Sequence, residues 1–400
     1  MRLPSAILAN IFERFSSGSL VLTAACVCRQ WREVANSPGI PWKRFYEKEF
    51  GGVVERIDEV RQAYTRECRW KAGELEQHVI EGISDTGDCV LSNVWGDSVC
   101  VAPTWDNSMQ LWDLTSKELC WSLHFPEGDY NYDVHHNYVA YLENVVVLHM
   151  SEKHIAWGSR GSGIGIVDRK NGRWLHILHT GYQGFILSLH IHGDMVVGCF
   201  NTTGVRVWNL LSSKCVHHIE SDHRTIATAA DIDEKRIVMG FENLIKVWDR
   251  SSYDCVGSIP IQGVPRSMHL RGGLLCVLNR NITIWDVEKE SCIKEIGDEN
   301  LDRGGLGYCA FDGVKVLYRQ PPLAKKLRNN RFRYDWSESD MVMHYVAQER
   351  SFRTLILPQN CTVFGVAISD ENIVCGIKLY DKGSTVMQWS WRLSHQNHWN

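Results

Sequence analysis

VRVWNLLSSKCVHHI, residues 205–219, decides how most of this chain is read. Apolar residues alternate with polar ones up to Trp208, a polar turn follows Asn209, and a second strand candidate runs from Cys215 to Ile219. That is strand, tight turn, strand. Four other stretches copy the unit: MQLWDLTSKELCWSLHF (109–125), IGIVDRKNGRWLHIL (164–178), IKVWDRSSYDCVGSI (245–259) and ITIWDVEKESCIKEI (282–296). The tryptophan position recurs as Trp112, Val167, Trp208, Trp248 and Trp285, then as His344 in VMHYVAQERSFRTL and Trp389 in VMQWSW, which makes seven units. A second segment also repeats: MSEKHIAWGS, IDEKRIVMGF and ISDENIVCGI align at Met150, Ile232 and Ile368 as a strand, a turn and a strand. The longest gaps between units imply insertions near 128–143 and 319–335.

The chain ends soon after Trp389, so the seventh unit lacks an outer strand. ELEQHVIEG, residues 74–82, is a strand without a partner ahead of the first unit. We expect it to complete the last sheet and close the array into a ring, which removes the free edges.

The first seventy residues have a different period. Pro4 opens a helix over 4–15 with Ile7, Leu8, Ile11, Phe12 and Phe15 on one face. Ser19 is the expected cap of a second helix, whose face carries Leu20, Ala24, Val27 and Cys28. A third presents Trp31, Val34 and Ala35. A fourth presents Trp42, Phe45, Tyr46 and Phe50 and stops at Gly51 and Gly52. Residues 53–70 read as a connecting helix with Ile57, Val60, Tyr64 and Cys68 on its apolar side.

The order of the N-terminal residues resembles the F-box family. That pattern is met at Leu3, Pro4, Ile7, Leu8, Ile11, Phe12, Leu20, Val27, Cys28, Arg29, Trp31 and Trp42. Phe15 stands where Leu is usual and Ser19 where an acidic residue is common. The repeats, recurring at about 40–45 residues with a Trp-Asp end, resemble WD-repeat propellers. They are degenerate: Thr202, Glu242 and Asn279 stand where Asp106 occupies the turn aspartate position, and His223 is a remnant of the Gly-His pair. The expected fold is therefore mixed. A small all-α F-box (1–52) and a helical linker (53–73) precede an all-β, seven-bladed WD-repeat propeller (74–400).

The net charge of -4 is small and argues against a nucleic-acid or membrane-surface partner. No run of ~18 apolar residues suggests a membrane span, and Glu13 and Arg14 interrupt the apolar pattern that a signal peptide would need. The expected location is cytoplasmic or nuclear. The fourteen cysteines are scattered, with no Cys-x-x-Cys pair, so neither a zinc site nor a disulfide framework is expected. Cys120, Cys215, Cys255 and Cys292 recur on one strand of successive units and read as small buried hydrophobes. Cys26 and Cys28, two apart on a helix, could not clamp one ion.

GSRGSGIGIVD (158–168) is glycine-rich, but a strand follows it rather than a helix, so it reads as a turn rather than a phosphate loop. The histidine pairs at 135–136 and 217–218 lack spaced metal partners. The insertion RQPPLAKKLRNNRFR is a basic loop carrying Arg319, Lys325, Lys326, Arg328, Arg331 and Arg333: a solvated insertion, a nuclear-import signal or a contact for an acidic partner. No cofactor is expected, and no nucleophile, base and orienter come together as a catalytic set.

The resemblance implies a non-catalytic substrate receptor of a Skp–cullin–F-box ubiquitin ligase. The F-box residues named above would dock a Skp-type adaptor, and through it a cullin. The propeller face would bind a protein target, phosphorylated or not. Candidate target contacts are Arg160, Arg224, Arg266 and Arg280, with Trp105, Trp157 and Phe241 as anchors or core. The alternative is a propeller scaffold that uses its F-box in another assembly. An enzyme is a third reading with no motif behind it.

Overall fold

The computed structural model describes residues 4–37, 40–51, 60–72, 75–84, 90–103, 108–124, 145–159, 163–179, 186–201, 204–219, 227–297, 309–319, 325–326, 332–333, 341–348, 353–358, 361–369, 371–379 and 383–391. Five helices come first: α1 (Ser5–Glu13), α2 (Gly18–Ala25), α3 (Arg29–Ala35), α4 (Trp42–Phe50) and α5 (Val60–Ala72). The expected Ser19 cap is wrong. Ser17 caps α2, its Oγ accepting the Ser19 amide proton at 3.1 Å. Gly51 ends α4 in the left-handed conformation that a helix stop favours. No described helix is long and apolar enough to cross a membrane.

Seven four-stranded antiparallel sheets follow. From first strand to fourth, blade 1 is Val90–Trp95, Ser98–Pro103, Ser108–Asp113 and Leu119–His124. Blade 2 is Val145–Met150, His154–Ser159, Gly163–Asp168 and Trp174–His179. Blade 3 is Ile186–His192, Met195–Phe200, Gly204–Asn209 and Lys214–Ile219. Blade 4 is Ala229–Ile232, Arg236–Phe241, Leu244–Asp249 and Cys255–Pro260. Blade 5 is Ser267–Arg271, Leu274–Leu278, Ile282–Asp286 and Ser291–Ile296. Blade 6 is Cys309–Phe311, Lys315–Arg319, Met341–Tyr345 and Arg353–Leu355. Blade 7 is Cys361–Ile368, Asn372–Leu379 and Gly383–Trp391, with Leu75–Ser84 as its fourth strand. First strands of successive blades touch all the way round, so they line the axis of a closed ring.

All seven expected tryptophan-equivalent positions fall on third strands. The closing strand pairs as expected, with Gln77 opposite Trp389 and Ile80 opposite Val386. Buried amides finish the seam: Asn372 Nδ2 donates to Asp97 Oδ1 at 3.1 Å, and Gln388 Nε2 donates to Leu114 O at 3.2 Å.

The aspartate that follows the tryptophan position in several blades has a local cause. Asp113, Asp168 and Asp249 each accept backbone N–H groups two and three residues on, which fixes the hairpin to the fourth strand. Four residues after that position the backbone turns left-handed, at Lys117, Gly172, Ser213, Tyr253 and Glu290. Each of these residues meets the fourth strand of the preceding blade. Lys117 reaches His78, Ser213 reaches His176, Tyr253 stacks on His217, and Glu290 accepts from Ser258 N. At Gly172 a Cβ would come within 2.9 Å of the Trp121 ring.

Two expectations about the propeller are corrected. Cys120, Cys215, Cys255 and Cys292 are exposed, not buried. Cys215, Cys255 and Cys292 face their tryptophans across a β-bulge in the fourth strand, which turns them outward. Cys120 sits one position out of phase, because Leu119 takes the place opposite Trp112. The basic insertion is also not wholly a loop. Arg319 is a buried second-strand residue, and Lys325–Lys326 pairs with Phe332–Arg333 as two short strands.

Candidate interaction surfaces

The helical module divides the F-box residues into two sets. Leu8, Phe12 and Trp42 are buried in its core, and Trp42 Nε1 donates to Ala35 O at 3.1 Å. Trp31 is only half-buried, with its ring edge against Phe12 at 5.7 Å. Pro4, Cys28 and Arg29 are exposed. Ile7, Ile11, Leu20 and Val27 are large apolar side chains left 47%, 39%, 49% and 64% exposed. The expected face of α2 is thus partly reversed: Val21, Leu22, Ala24 and Ala25 turn inward, and Leu20 turns outward. Cys28 is not within a helix but is the extended residue ahead of α3. Leu3 lies outside the described residues.

The module is joined to the ring through blade 6. Its core includes Val314 and Tyr345 of that blade, and the Phe50 and Tyr345 rings lie 5.2 Å apart. On α5, Val60, Ala63, Tyr64, Glu67 and Trp70 are buried. Ile57 lies outside the described residues. The expected apolar side of this helix missed Glu67 and Trp70, which form the junction. Lys315, with no exposure, donates to both Glu67 carboxylate oxygens at 3.0 Å and lies 2.6 Å from Asp312 Oδ2. The Tyr345 hydroxyl donates to Glu67, and the Trp70 ring lies 5.6 Å from the ammonium. Burial works to deprotonate the lysine, but Asp312 and Glu67 hold it charged. A buried lysine is tolerable only with such partners, and a charge pair is hard to anticipate from an amphipathic pattern.

The ring's axis holds a cavity of about 580 Å3. Matching first strands to second strands by register puts Asn93, His149, His190, Asp231, His269, Ala310 and Ala367 at one level. First strands are edge strands, and these side chains serve the next blade. His149 Nδ1 accepts from Ile191 N at 3.2 Å, Asp231 Oδ2 accepts from Leu270 N at 2.7 Å, and His269 Nε2 lies 3.1 Å from Cys309 O. His190 Nδ1 lies 2.8 Å from Asp231 Oδ1, and Arg271 stands 3.4 Å from the other carboxylate oxygen. Burial would raise the Asp231 pKa, but His190 and Arg271 hold it far below the carboxylate range. Burial, with His190 and Arg271 alongside, pushes the His149 pKa well down. Among the described residues, no three His, Cys, Asp or Glu side chains converge as metal ligands.

The four expected target contacts that are described, Trp157, Phe241, Arg266 and Arg280, do not line one site. Trp157 and Phe241 are core residues, exposed 0% and 6%. The Trp157 ring needs Gly165, where a Cβ would stand 2.2 Å from it. Arg266 is exposed and lines the axial cavity, whereas Arg280 borders a separate groove with Trp285 and Glu295. Trp105, Arg160 and Arg224 lie outside the described residues, as do Asp106, Thr202 and His223. Of the glycine-rich stretch, Gly163–Asp168 is the third strand of blade 2 and no helix follows it.

Residues 1–48 match the family model described as F-box-like. No curated protein sequence matches the chain. Among solved structures, the ring is similar to the β-propeller domain of Cps50 (Swd1) from Myceliophteria thermophila. That match has 13% identity and a TM-score of 0.58, and covers 79% of this chain and 100% of that one. It is also similar to the computationally designed protein Ika8, at 14% identity and a TM-score of 0.53, covering 78% and 98%. At these identities the likeness speaks for the fold. The chain joins an F-box-like module to a seven-bladed propeller, the F-box/WD-repeat arrangement that its sequence resembles.

Proposed function

We propose that this chain is the substrate receptor of a Skp–cullin–F-box ubiquitin ligase. The helical module docks a Skp-type adaptor, which brings the cullin, and the propeller binds the protein to be modified. The observation that carries this reading is the exposure of Ile7, Ile11, Leu20 and Val27 on a module that matches the F-box-like family. Covering one such side chain is worth about 1.5–3 kcal/mol, so four of them can support a stable contact. The residues that bind are then mainly these four with Pro4, Cys28 and Arg29. Leu8, Phe12 and Trp42 act by shaping the module.

In this reading the chain positions and does not catalyse. The conjugating chemistry belongs to the cullin-bound enzymes, and the chain works in the cytoplasm or nucleus. The buried junction at Lys315 supports the role, since a receptor must hold its target at a set distance from the transfer machinery. The exposed guanidinium groups of Arg266 and Arg280 are candidate contacts for an acidic or phosphorylated segment of the target. The test is reconstitution with a Skp-type adaptor, a cullin and the ubiquitin-conjugating enzymes. Proteins captured by the propeller should gain ubiquitin only when the adaptor is present. A chain that captures adaptor but never supports transfer would point to the scaffold reading instead.

A further inference from the structure

Two thiols meet inside the ring. Cys276 lies in the second strand of blade 5 and Cys309 opens the first strand of blade 6, and both are free. They are 0% and 5% exposed and share one apolar cluster with Ile284, Phe311 and Val316. His269 links them: it stands opposite Cys276 in the blade 5 register, and its Nε2 lies 3.1 Å from Cys309 O and 3.0 Å from Ser267 Oγ. The polar partner of the Cys276 thiol is the Cys309 sulfur, within hydrogen-bonding reach. Ser267, His269 and Ala310, the residue after Cys309, line the axial cavity, so the pair sits just behind its wall. A buried thiol in apolar surroundings is ordinarily protonated and inert. Cys100 is of that kind, its thiol pushed up by burial. The pair differs: Cys276, against the effect of burial and with His269 and Ser267 helping, holds the Cys309 thiol well below the ordinary thiol range, and Cys276 is pushed well above it in turn.

We propose that Cys276 and Cys309 form an oxidation site for hydrogen peroxide, with Cys309 as the thiol that reacts and Cys276 as the thiol that resolves it. Peroxide is little larger than water and reaches the pair from the axial cavity. The Cys309 sulfur, as thiolate, attacks one peroxide oxygen. The S–O bond forms, the O–O bond breaks, and the departing hydroxide takes up the proton that Cys309 gave up, leaving as water. The Cys276 sulfur then attacks the Cys309 sulfenic acid. The S–S bond forms, the S–O bond breaks, and the Cys276 proton leaves with hydroxide as a second water. Two thiols are oxidised by two electrons and one peroxide is reduced to two waters. The product joins blade 5 to blade 6. Blade 6 has the shortest first and fourth strands of the ring, three residues each, and it carries the helical module. A covalent tie there braces the blade that needs it most. This inference does not depend on adaptor docking.

The test treats the folded full chain with hydrogen peroxide, unfolds it in a thiol-alkylating reagent, and identifies the peptides by mass without reduction. The expected result is a cross-linked peptide pair carrying Cys276 and Cys309. It should form at least about tenfold faster than Cys100 loses its alkylation, because Cys100 has no partner to make it a thiolate, and dithiothreitol should reverse it. In Cys276→Ser, Cys309 should stop at the sulfenic acid, which a 1,3-diketone reagent tags. The proposal is overturned if Cys276 and Cys309 stay alkylatable while the exposed Cys255 and Cys292 are oxidised. Cross-linking of either one to a surface cysteine instead would overturn it too. The wild-type measurement decides even if the variant folds poorly.

Discussion

At the residue scale, the two tryptophans of the F-box pattern have different roles. Trp42 is enclosed and hydrogen-bonded, and Trp31 is half-covered. Trp42→Ala should cost about 3–5 kcal/mol in denaturant unfolding, and Trp31→Ala about 2, because its lost burial is smaller. Sequence reading finds both residues on apolar faces but not which one is enclosed, since apolarity does not say which side of a small bundle a ring faces. Lys315 was invisible to that reading altogether. Lys315→Met should cost about 3–5 kcal/mol, because Glu67 and Asp312 would stay buried without their cation. Adding Glu67→Gln should recover part of that loss, which a double-mutant cycle in denaturant would show. Additive losses would mean that the pair does not interact as described.

At the scale of elements, the repeats were legible because their cause is local. An aspartate that accepts two amide protons, a tight hairpin and alternating strands all follow from neighbouring residues. The outward turn of Cys215, Cys255 and Cys292 was not legible. A bulge shifts the register by one residue and so reverses which face a side chain takes. The hairpins also show a compensation between blades. Gly172 accommodates the broad Trp121 ring, whereas Glu290 extends across Gly257, where there is no side chain to meet it. Gly172→Ala should therefore destabilise by about 1–2 kcal/mol from its left-handed backbone, with the Trp121 contact adding to it. Thermal unfolding reads this directly. The strand 75–84 is an element whose effect is global: it pairs along the whole third strand of blade 7. Removing it should lower the melting temperature of the entire ring and expose the amides of 383–391 to rapid hydrogen exchange. A truncated chain that melts like the full one would contradict closure by this strand.

At the scale of the molecule, module and ring share a core. Tyr345 and Val314 belong to the same apolar cluster as Leu8 and Trp42, and the Glu67–Lys315 pair lies inside the joint. The sequence pointed to a helix between two parts, but not to where on the ring it would dock. That depends on a pairing of residues far apart in the chain. The axial histidines were equally hidden, since His149, His190 and His269 come together only when the blades are set in register. The expected target face was the least legible part: of the two readings of Trp157 and Phe241, anchor or core, the structure shows core, and no motif marks which arginines share a surface. The exposed apolar side chains of the module are the proposed docking surface for the adaptor. The direct measurement is calorimetric titration of the full chain with a Skp-type adaptor, comparing wild type with Ile11→Asp/Leu20→Asp. Wild type should bind, and the double variant should keep its melting temperature and lose at least about a hundredfold in affinity, since two covered side chains contribute roughly 3–6 kcal/mol. Unchanged affinity in a folded double variant would contradict the claim.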